Sequence, residues 1–140
     1  MRFVLDTDVI VAAMRSPSGA SAALLEAALN SKLTLCANVA LIFEYEAVCS
    51  REEHLMASEF SAADLDVFLT AIAALVEPVN SYFVWRPQLR DANDEMVLEA
   101  AVNGAVDAIV SFNLRDFGLA PARFGIDVML PKDAIRRVKS

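Results

Sequence analysis

Short apolar runs alternate with longer segments of helical periodicity along the whole chain. Runs of strand length predict buried strands, and apolar positions that recur every three or four residues predict helices. Strands that alternate with helices are typical of a mostly parallel sheet covered on both faces. The pattern therefore predicts one α/β domain over residues 1–140, a three-layer α/β/α sandwich around a central, mostly parallel sheet. The predicted strands are residues 2–6, 32–37, 76–79, 106–111 and 126–130, and the predicted helices are residues 9–14, 20–30, 38–50, 60–76, 93–104 and 132–138.

Polar residues mark the ends of several predicted helices. Asp8 is predicted to cap the first helix and Asn38 the third, because these side chains accept hydrogen bonds from the free amides of a first turn. Ser61 and Asp64 have the spacing of a capping box, and Gly104 is typical of a helix C-terminus. Two segments are predicted to be loops, residues 81–93 and 112–125.

The composition predicts a cytoplasmic protein that does not enter a membrane. Hydrophobic residues make up 56% of the 140 residues, and the mean hydropathy is +0.44. Polar residues nevertheless interrupt every apolar stretch before it reaches the roughly 18–20 residues that span a bilayer. Asp6 and Asp8 lie where a signal peptide would have its apolar segment.

The cysteines and the single histidine give no sign of a metal site of their own. Cys36 and Cys49 are expected to be reduced thiols in the core, and His54 is expected on the surface of a helix. A zinc site of the Cys/His kind and a mechanism with a histidine base are therefore not expected.

Negative charge is concentrated in the first part of the chain. The formal net charge is −7, and eleven of the nineteen acidic residues but four of the twelve Lys and Arg residues precede residue 86. This balance is unlike that of a simple nucleic-acid-binding domain. A local basic rim could still hold a polyanion if metal ions offset the carboxylates.

Acidic and amide side chains stand at positions that predict a common site. Asp6 ends an apolar strand, and Asn113 and Asp116 follow the strand at 106–111. Ligands of open parallel sheets bind beyond the carboxyl ends of strands, near the switch point of strand order. An unpaired buried carboxylate is costly, so Asp6 needs a partner or a solvated site.

Two helices add further acids to this set. Glu44 interrupts an apolar helix and is expected to face a partly buried pocket. Asp91 and Asp94 lie one turn apart at the start of another helix, where capping and the helix dipole also favour acids. Carboxylates without His or Cys are typical ligands of Mg²⁺ or Mn²⁺. Such ions activate water for in-line displacement at phosphorus, which suggests metal-dependent cleavage of a phosphate ester.

Three segments carry a resemblance to a known family. FVLDTDVIVAA has a strand-end Asp, then Thr, a polar residue and an apolar helix, and FEYEAVCSR is a helix bearing Glu. RPQLRDANDEMVLEAAVNGAVDAIVSFNLRDF has an Asp-rich helix start, a strand and a polar loop. In this order the segments resemble the PIN domain family, of the kind found as VapC-like toxins in bacterial toxin–antitoxin pairs. The resemblance covers nearly the whole chain and implies a PIN-like fold.

The resemblance implies a ribonuclease that depends on Mg²⁺ or Mn²⁺ and cleaves RNA with a metal-activated water. It places the three principal catalytic and metal-binding acids at Asp6, Glu44 and Asp94. The fourth acidic position, also catalytic, falls at Asn113, where many members have Asp. Asp116 would substitute as a metal ligand if the loop turns back toward the site.

The chain departs from the family pattern at two positions. Asn113 brings one negative charge less, so weaker metal affinity is expected. Asp8 stands where Asn or Ser is more usual, and it is expected to help hold a metal-bound water. Two further residues are expected to support the site: Asp91, beside Asp94, and Ser111, which matches a hydroxyl position of the family.

Two other interpretations remain open. VLDTDV also resembles the DxD segment of phosphohydrolases of the haloacid dehalogenase type, where the first Asp is a nucleophile and the second a general acid. Val9, Ile10 and the placement of the lysines disfavour this class. A non-catalytic RNA- or protein-binding PIN-like module with a degenerate metal site is the main alternative, and Asn113 favours it.

The expected substrate is single-stranded or loop RNA, because an unpaired strand can reach a recessed site. An aromatic cluster, Tyr82, Phe83 and Trp85, could stack on bases, but core or dimer packing is the favoured interpretation. Arginines that flank the acids are candidate phosphate contacts, although each could equally be a solvated surface residue: Arg86, Arg90, Arg115 and Arg123.

The resemblance also implies protein partners. A toxin of this kind would bind a small antitoxin encoded beside it, and that partner is expected to cover the site with a basic side chain or an apolar helix. Homodimerisation is a further expectation, consistent with the apolar composition.

Overall fold

Five short parallel strands organise the fold in the computed structural model, which describes residues 1–80, 89 and 91–140. They are β1 (Arg2–Leu5), β2 (Thr34–Ala37), β3 (Glu77–Pro78), β4 (Ala108–Val110) and β5 (Asp127–Met129). Within the described residues these strands form one sheet in the order β3-β2-β1-β4-β5, and the pairing is parallel throughout. Each strand falls inside a segment that its apolar run predicted.

Helices cover this sheet. They are α1 (Thr7–Arg15), α2 (Ala20–Leu29), α3 (Val39–Cys49), α4 (Glu52–Ser58), α5 (Ala62–Leu75), α6 (Ala92–Asn103), α7 (Ala120–Arg123) and α8 (Pro131–Lys139). Helix α6 packs on β1, β2 and β4, whereas α1 packs against α2 and α3, and α2 packs against α8. The predicted α/β/α sandwich is confirmed. No helix of the described part of the chain is long and apolar enough to cross a membrane.

The core is centred on β1 and β4. Phe3, Val4 and Leu5 of β1 are buried, as is every residue of β4. Strands buried on both faces are apolar throughout because neither face meets water. One buried cluster extends from Phe3 to Ala134, so both ends of the chain contribute to it. Fully burying each large side chain contributes about 1.5–3 kcal/mol, which anchors the ends of these strands.

Several local predictions are confirmed. Asn38 caps α3 by accepting a hydrogen bond from the Leu41 amide at 2.9 Å. Ser61 and Asp64 form the capping box of α5. The predicted core thiols, Cys36 and Cys49, are buried and free.

Gly104 ends α6 as predicted, but the reason is space rather than a left-handed backbone. Its φ is −83°, which any residue can adopt. A Cβ at this position would lie 2.9 Å from the Ala100 carbonyl oxygen and 3.1 Å from Cγ2 of Val79. Glycine therefore allows the end of α6 to approach its neighbours closely.

The prediction that residues 112–125 form a loop throughout is wrong. A 3-10 helix spans Leu114–Phe117 and α7 spans Ala120–Arg123. Elements this short lack the repeated apolar spacing that reveals a helix in sequence. Phe117 and Ala120 are buried, and this segment packs against α6 and β5.

Candidate active site

The central strands β1 and β4 end side by side where the path of the chain across the sheet reverses. β2 pairs with one edge of β1, and β4 pairs with the other. Leu5 is in register with Val110, and the Asp6 amide donates to the Val110 carbonyl oxygen at 2.9 Å. Asp6 and Ser111 therefore lie at the switch point, which is where open parallel sheets bind ligands.

Asp6 is a buried carboxylate held by two donors. It is 9% exposed, its Oδ1 accepts from the Thr7 amide at 2.8 Å, and its Oδ2 accepts from the Ser111 hydroxyl at 2.7 Å. Hydrogen bonds of this kind stabilise the ionised form of a desolvated carboxylate. The two bonds also fix the direction in which the carboxylate points.

Asp6, not Asp8, caps helix α1, so the capping prediction for Asp8 is wrong. Asp6 has the extended backbone of an N-cap, with φ −64° and ψ 157°. Its amide is bonded to β4, and this sheet pairing keeps residue 6 extended and makes Thr7 the first helical residue. Asp8 consequently lies in the first turn of α1.

The Asp8 carboxylate faces the segment that follows β4. Its Oδ2 accepts from the Phe112 amide at 3.1 Å and from Nδ2 of Asn113 at 3.0 Å. The Ser111 hydroxyl lies 3.5 Å from the same oxygen. The other oxygen, Oδ1, is buried and has no hydrogen-bond partner within residues 1–80, 89 and 91–140. Asn113 therefore contacts Asp8 through its amide group.

Two polar contacts position the helices that carry Glu44 and Asp94. Nδ2 of Asn38 donates to the Met96 carbonyl oxygen at 3.1 Å, which joins the start of α3 to the first turns of α6. The buried Tyr45 hydroxyl donates to the Leu5 carbonyl oxygen, next to Asp6. Glu44 and Asp94 are thereby held on elements that are bonded to the core of the sheet and to each other.

These elements enclose a cavity of about 440 Å³ that gathers the predicted acids. The lining comes from the end of β1, from α1, α3, α4 and α6, and from the segment after β4. A neighbouring cavity of about 490 Å³ shares Asp91, Asp94 and Asp116 with it and adds Arg115 and Arg123. The predicted residues that line the first cavity are Asp6, Asp8, Glu44, Asp91, Asp94, Asn113 and Asp116.

The electrostatics of the cavity disfavour negative charge. Burial, and then the neighbouring Asp6 charge, raises the pKa of Asp8 to about 6. Burial also raises the pKa of Asp94 to about 6, with further contributions from Asp6 and Asp91. Burial raises the pKa of Asp6, although its bonds from Ser111 and Thr7 oppose that rise. A cation in the cavity would relieve this repulsion.

The donor set fits a hard divalent cation such as Mg²⁺ or Mn²⁺. Carboxylate and amide oxygens dominate the lining, and these are the ligands such ions prefer. In the part of the chain that the structure describes, the buried Oδ1 of Asp8 lacks a hydrogen-bond partner, which a cation or its water would supply. Among residues 1–80, 89 and 91–140, no three His, Cys, Asp or Glu side chains converge closely enough to hold an ion as they stand. Binding would therefore involve rotation of side chains that already line the cavity.

The remaining predicted residues lie in different places. Ser111 is fully buried below the cavity and is bonded to Asp6. Arg115 and Arg123 line the neighbouring cavity. Other predictions fall outside the described residues: Arg86, Arg90 and the aromatic cluster of Tyr82, Phe83 and Trp85.

Several polar residues near the acids were not predicted to belong to the site. Arg51 and His54 line the cavity, and the His54 side chain, which was expected on the surface, is only 14% exposed. Asn38 and Tyr45 hold the helices in place. In the sequence, Arg51 is a basic residue beside the acidic stretch that begins at Glu44, and this position could have indicated a role near the acids. No sequence feature indicates the Tyr45 contact, because that contact depends on how α3 packs on β1.

The chain belongs to the PIN domain family, whose model matches residues 2–115. PIN domains are generally nucleases. The chain is also similar to a chain in the crystal structure of VapBC2 from Rickettsia felis bound to a DNA fragment from their promoter. That similarity has 15% sequence identity and a TM-score of 0.54, and it covers 91% of this chain and 97% of that chain. No curated protein matches the chain by sequence.

Family membership replaces the haloacid dehalogenase interpretation of VLDTDV. The geometry gives a physical reason. Asp6 is itself the cap of α1 and accepts hydrogen bonds on both oxygens, and Asp8 accepts a hydrogen bond from the segment after β4. Neither has the arrangement of a free nucleophile with an adjacent general acid.

Proposed function

We propose that residues 1–140 form a single nuclease domain that cleaves RNA phosphodiester bonds with Mg²⁺ or Mn²⁺. The observation that carries this proposal is the cavity itself. Acids from the end of β1, from α3, from the start of α6 and from the segment after β4 line one space at the switch point of the sheet. Membership of a nuclease family supports the same function.

Asp6, Glu44 and Asp94 would hold the cation, with Asp116 beside them. A bound divalent cation would supply charge stabilisation and a water of lowered pKa at the scissile phosphate. Ser111 and Thr7 keep Asp6 pointing in one direction, and Asn38 keeps α6, with Asp94, against α3, with Glu44. Prior fixation of the Asp6 carboxylate and of the two helices limits the reorganisation on binding to rotation of the other acidic side chains.

Cationic side chains on two sides of the acids would contact the RNA backbone. Arg115 and Arg123 line the neighbouring cavity, and Arg51 lines the first cavity together with Glu44. An RNA backbone that lies across both cavities would pass over the acids, with Arg115 and Arg123 on one side and Arg51 on the other. A single strand can follow such a path with its backbone in the groove.

The proposal is tested by RNA cleavage with the purified protein and either Mg²⁺ or Mn²⁺. Asp6→Asn and Asp94→Asn are expected to lower the rate by at least about 100-fold, because each removes a carboxylate from the proposed cation site. Asp66→Asn is the matched control, since Asp66 is an exposed acid on α5 outside this cavity.

Each result of this assay has a defined meaning. Loss of cleavage in the two site variants with a normal rate in Asp66→Asn supports the proposal. A parent protein that neither cleaves RNA nor gains thermal stability with Mn²⁺ would favour the alternative, a non-catalytic binding module. Full activity in both site variants would remove these residues from the mechanism.

We further propose that the protein is the toxin of a type II toxin–antitoxin pair and acts in the cytoplasm. Its fold similarity to a chain of VapBC2 supports this role. Val39 and Phe43 lie one turn apart on α3 and are 65% and 64% exposed, which is an apolar surface that a partner helix could cover. Co-purification with the product of an adjacent small gene, and inhibition of cleavage by it, would test the antitoxin. Light scattering of the isolated chain would test the expected homodimer.

A further inference from the structure

Asp8 carries a negative charge that its contacts within the fold do not require. The Phe112 amide and Nδ2 of Asn113 donate to its Oδ2. The amide oxygen of an asparagine at position 8 would accept both bonds equally well. Helix capping does not explain the charge either, because Asp6 is the cap of α1.

The second carboxylate oxygen of Asp8 also indicates that the charge has a role outside these contacts. Among the residues that the structure describes, Oδ1 of Asp8 is buried and accepts no hydrogen bond of ordinary geometry. The Val9 amide lies close enough to the carboxylate to lower its pKa slightly, but it donates to the Asp6 carbonyl oxygen at 3.0 Å. Buried polar atoms are satisfied in the great majority of cases, and an unpartnered oxygen of a charged group is costly. Asp8 also lines the cavity that contains Asp6 and Asp94. The unbonded oxygen therefore belongs to a carboxylate that a cation in this cavity would stabilise.

Asn113 is placed to orient this carboxylate. It follows β4, where the family resemblance led us to expect an acid, and its amide donates to Asp8 at 3.0 Å. The amide and the carboxylate thus occupy two facing positions, one on α1 and one after β4. If the negative charge moved from position 8 to position 113, the total charge of the cavity would stay the same.

We propose that Asp8 supplies the fourth carboxylate of the cation site, and that Asn113 is the positioning residue that orients it. This inference rests on the proposed function. It replaces the expectation that Asn113 weakens metal affinity, because the charge missing after β4 is present on α1, across a single hydrogen bond.

The test measures Mn²⁺ binding to the full chain by titration calorimetry, without RNA. Asp8→Asn is expected to weaken Mn²⁺ binding by about tenfold or more, while circular dichroism stays unchanged because the amide oxygen can accept the same bonds. Asn113→Asp sets two carboxylates against each other and is expected to lower the melting temperature of the metal-free protein. The double variant Asp8→Asn/Asn113→Asp is expected to restore affinity to within about threefold of the parent, because it restores the pair with the charge exchanged.

Asp66→Asn is again the matched control and is expected to bind Mn²⁺ as the parent does. Parent-like affinity in Asp8→Asn, or a double variant as weak as Asp8→Asn, would overturn the inference while leaving the proposed function intact. A parent that binds no Mn²⁺ would overturn both the inference and the proposed function.

Discussion

At the scale of single residues, the site depends on buried polar side chains that form hydrogen bonds with one another. Ser111 is the clearest example. Its hydroxyl donates to Asp6 at 2.7 Å and accepts from the backbone amide of Asn113 at 3.0 Å. The residue is fully buried. One hydroxyl thus joins the acid at the end of β1 to the segment after β4.

Ser111→Ala is expected to destabilise the protein by about 1–3 kcal/mol, because it leaves a buried carboxylate oxygen without its donor. Urea denaturation measures the change in the free energy of unfolding. Ser50→Ala is the control, since the Ser50 hydroxyl bonds to the Glu46 carbonyl oxygen at an exposed helix end and its removal should cost less than about 0.5 kcal/mol. Equal effects of the two substitutions would contradict this role of Ser111.

Arg115 allows a prediction about the substrate. It lines the cavity that shares Asp91, Asp94 and Asp116 with the site. If Arg115 contacts a phosphate, Arg115→Ala should weaken RNA binding and reduce the slope of log affinity against log salt by about 0.7 for a single strand. Arg136→Ala, at an exposed position on α8, should leave the slope unchanged. An unaltered slope in Arg115→Ala would show that this arginine is a solvated surface residue.

At the scale of elements, the helices must be fixed to one another for their acids to meet. Asn38 does this with both ends of its amide. The oxygen caps α3 through the Leu41 amide, and Nδ2 bonds to the Met96 carbonyl oxygen of α6. The side chain is 7% exposed, so water does not readily replace either bond.

Asn38→Ala is expected to cost about 2–3 kcal/mol, because it removes a cap and leaves a further buried group unpaired. Ser61→Ala, which removes the exposed cap of α5, measures the effect of a cap alone and should cost about 1 kcal/mol. Thermal or urea unfolding of the two variants gives the comparison. An Asn38 variant no less stable than the Ser61 variant would mean that the bond to α6 contributes nothing.

Local sequence predicted these elements well where the signal was itself local. The capping residues Asn38 and Ser61 act within one turn of the chain, so their role follows from spacing. The start of α1 did not follow in this way. Thr7 begins the helix because the Asp6 amide is bonded to Val110, and that contact joins residues far apart in sequence.

At the scale of the whole molecule, the acids couple folding to pH and to metal. The raised pKa values of Asp8 and Asp94, both about 6, mean that the folded chain binds more protons than the unfolded chain between about pH 4 and pH 6. The contribution of these two groups to stability therefore falls as pH rises through this range. Their carboxylates are fully ionised in the folded protein only above it.

Asp94→Asn removes one of these charges and should gain stability relative to the metal-free parent as pH rises from 5 to 7. Addition of Mn²⁺ at pH 7 should raise the melting temperature of the parent and much less that of Asp94→Asn. At pH 5 the effect of Mn²⁺ on the parent should be smaller, because protons compete for the same oxygens. Differential scanning fluorimetry at pH 5, 6 and 7 measures all three effects. A stabilisation by Mn²⁺ that is equal at all three pH values would contradict them.

The sequence by itself determined the fold class and the strands, and it singled out acids that the structure places around one cavity. Apolar runs specify burial on both faces of a sheet, and carboxylates in such surroundings stand out because they are costly there. Asp6 is distinguished on this ground by its position at the end of an apolar run. Asp94 is not, because the start of a helix favours acids in any case.

Only the tertiary structure decided which side chains meet. Asp8 and Asn113 are far apart in the chain and become partners because β1 and β4 pair in register, so that α1 starts beside the segment after β4. Tyr45 and His54 were placed near the acids by the packing of α3 and α4. Periodicity reports which face of an element is apolar, but contacts between elements depend on register and packing, which are properties of the assembled sheet.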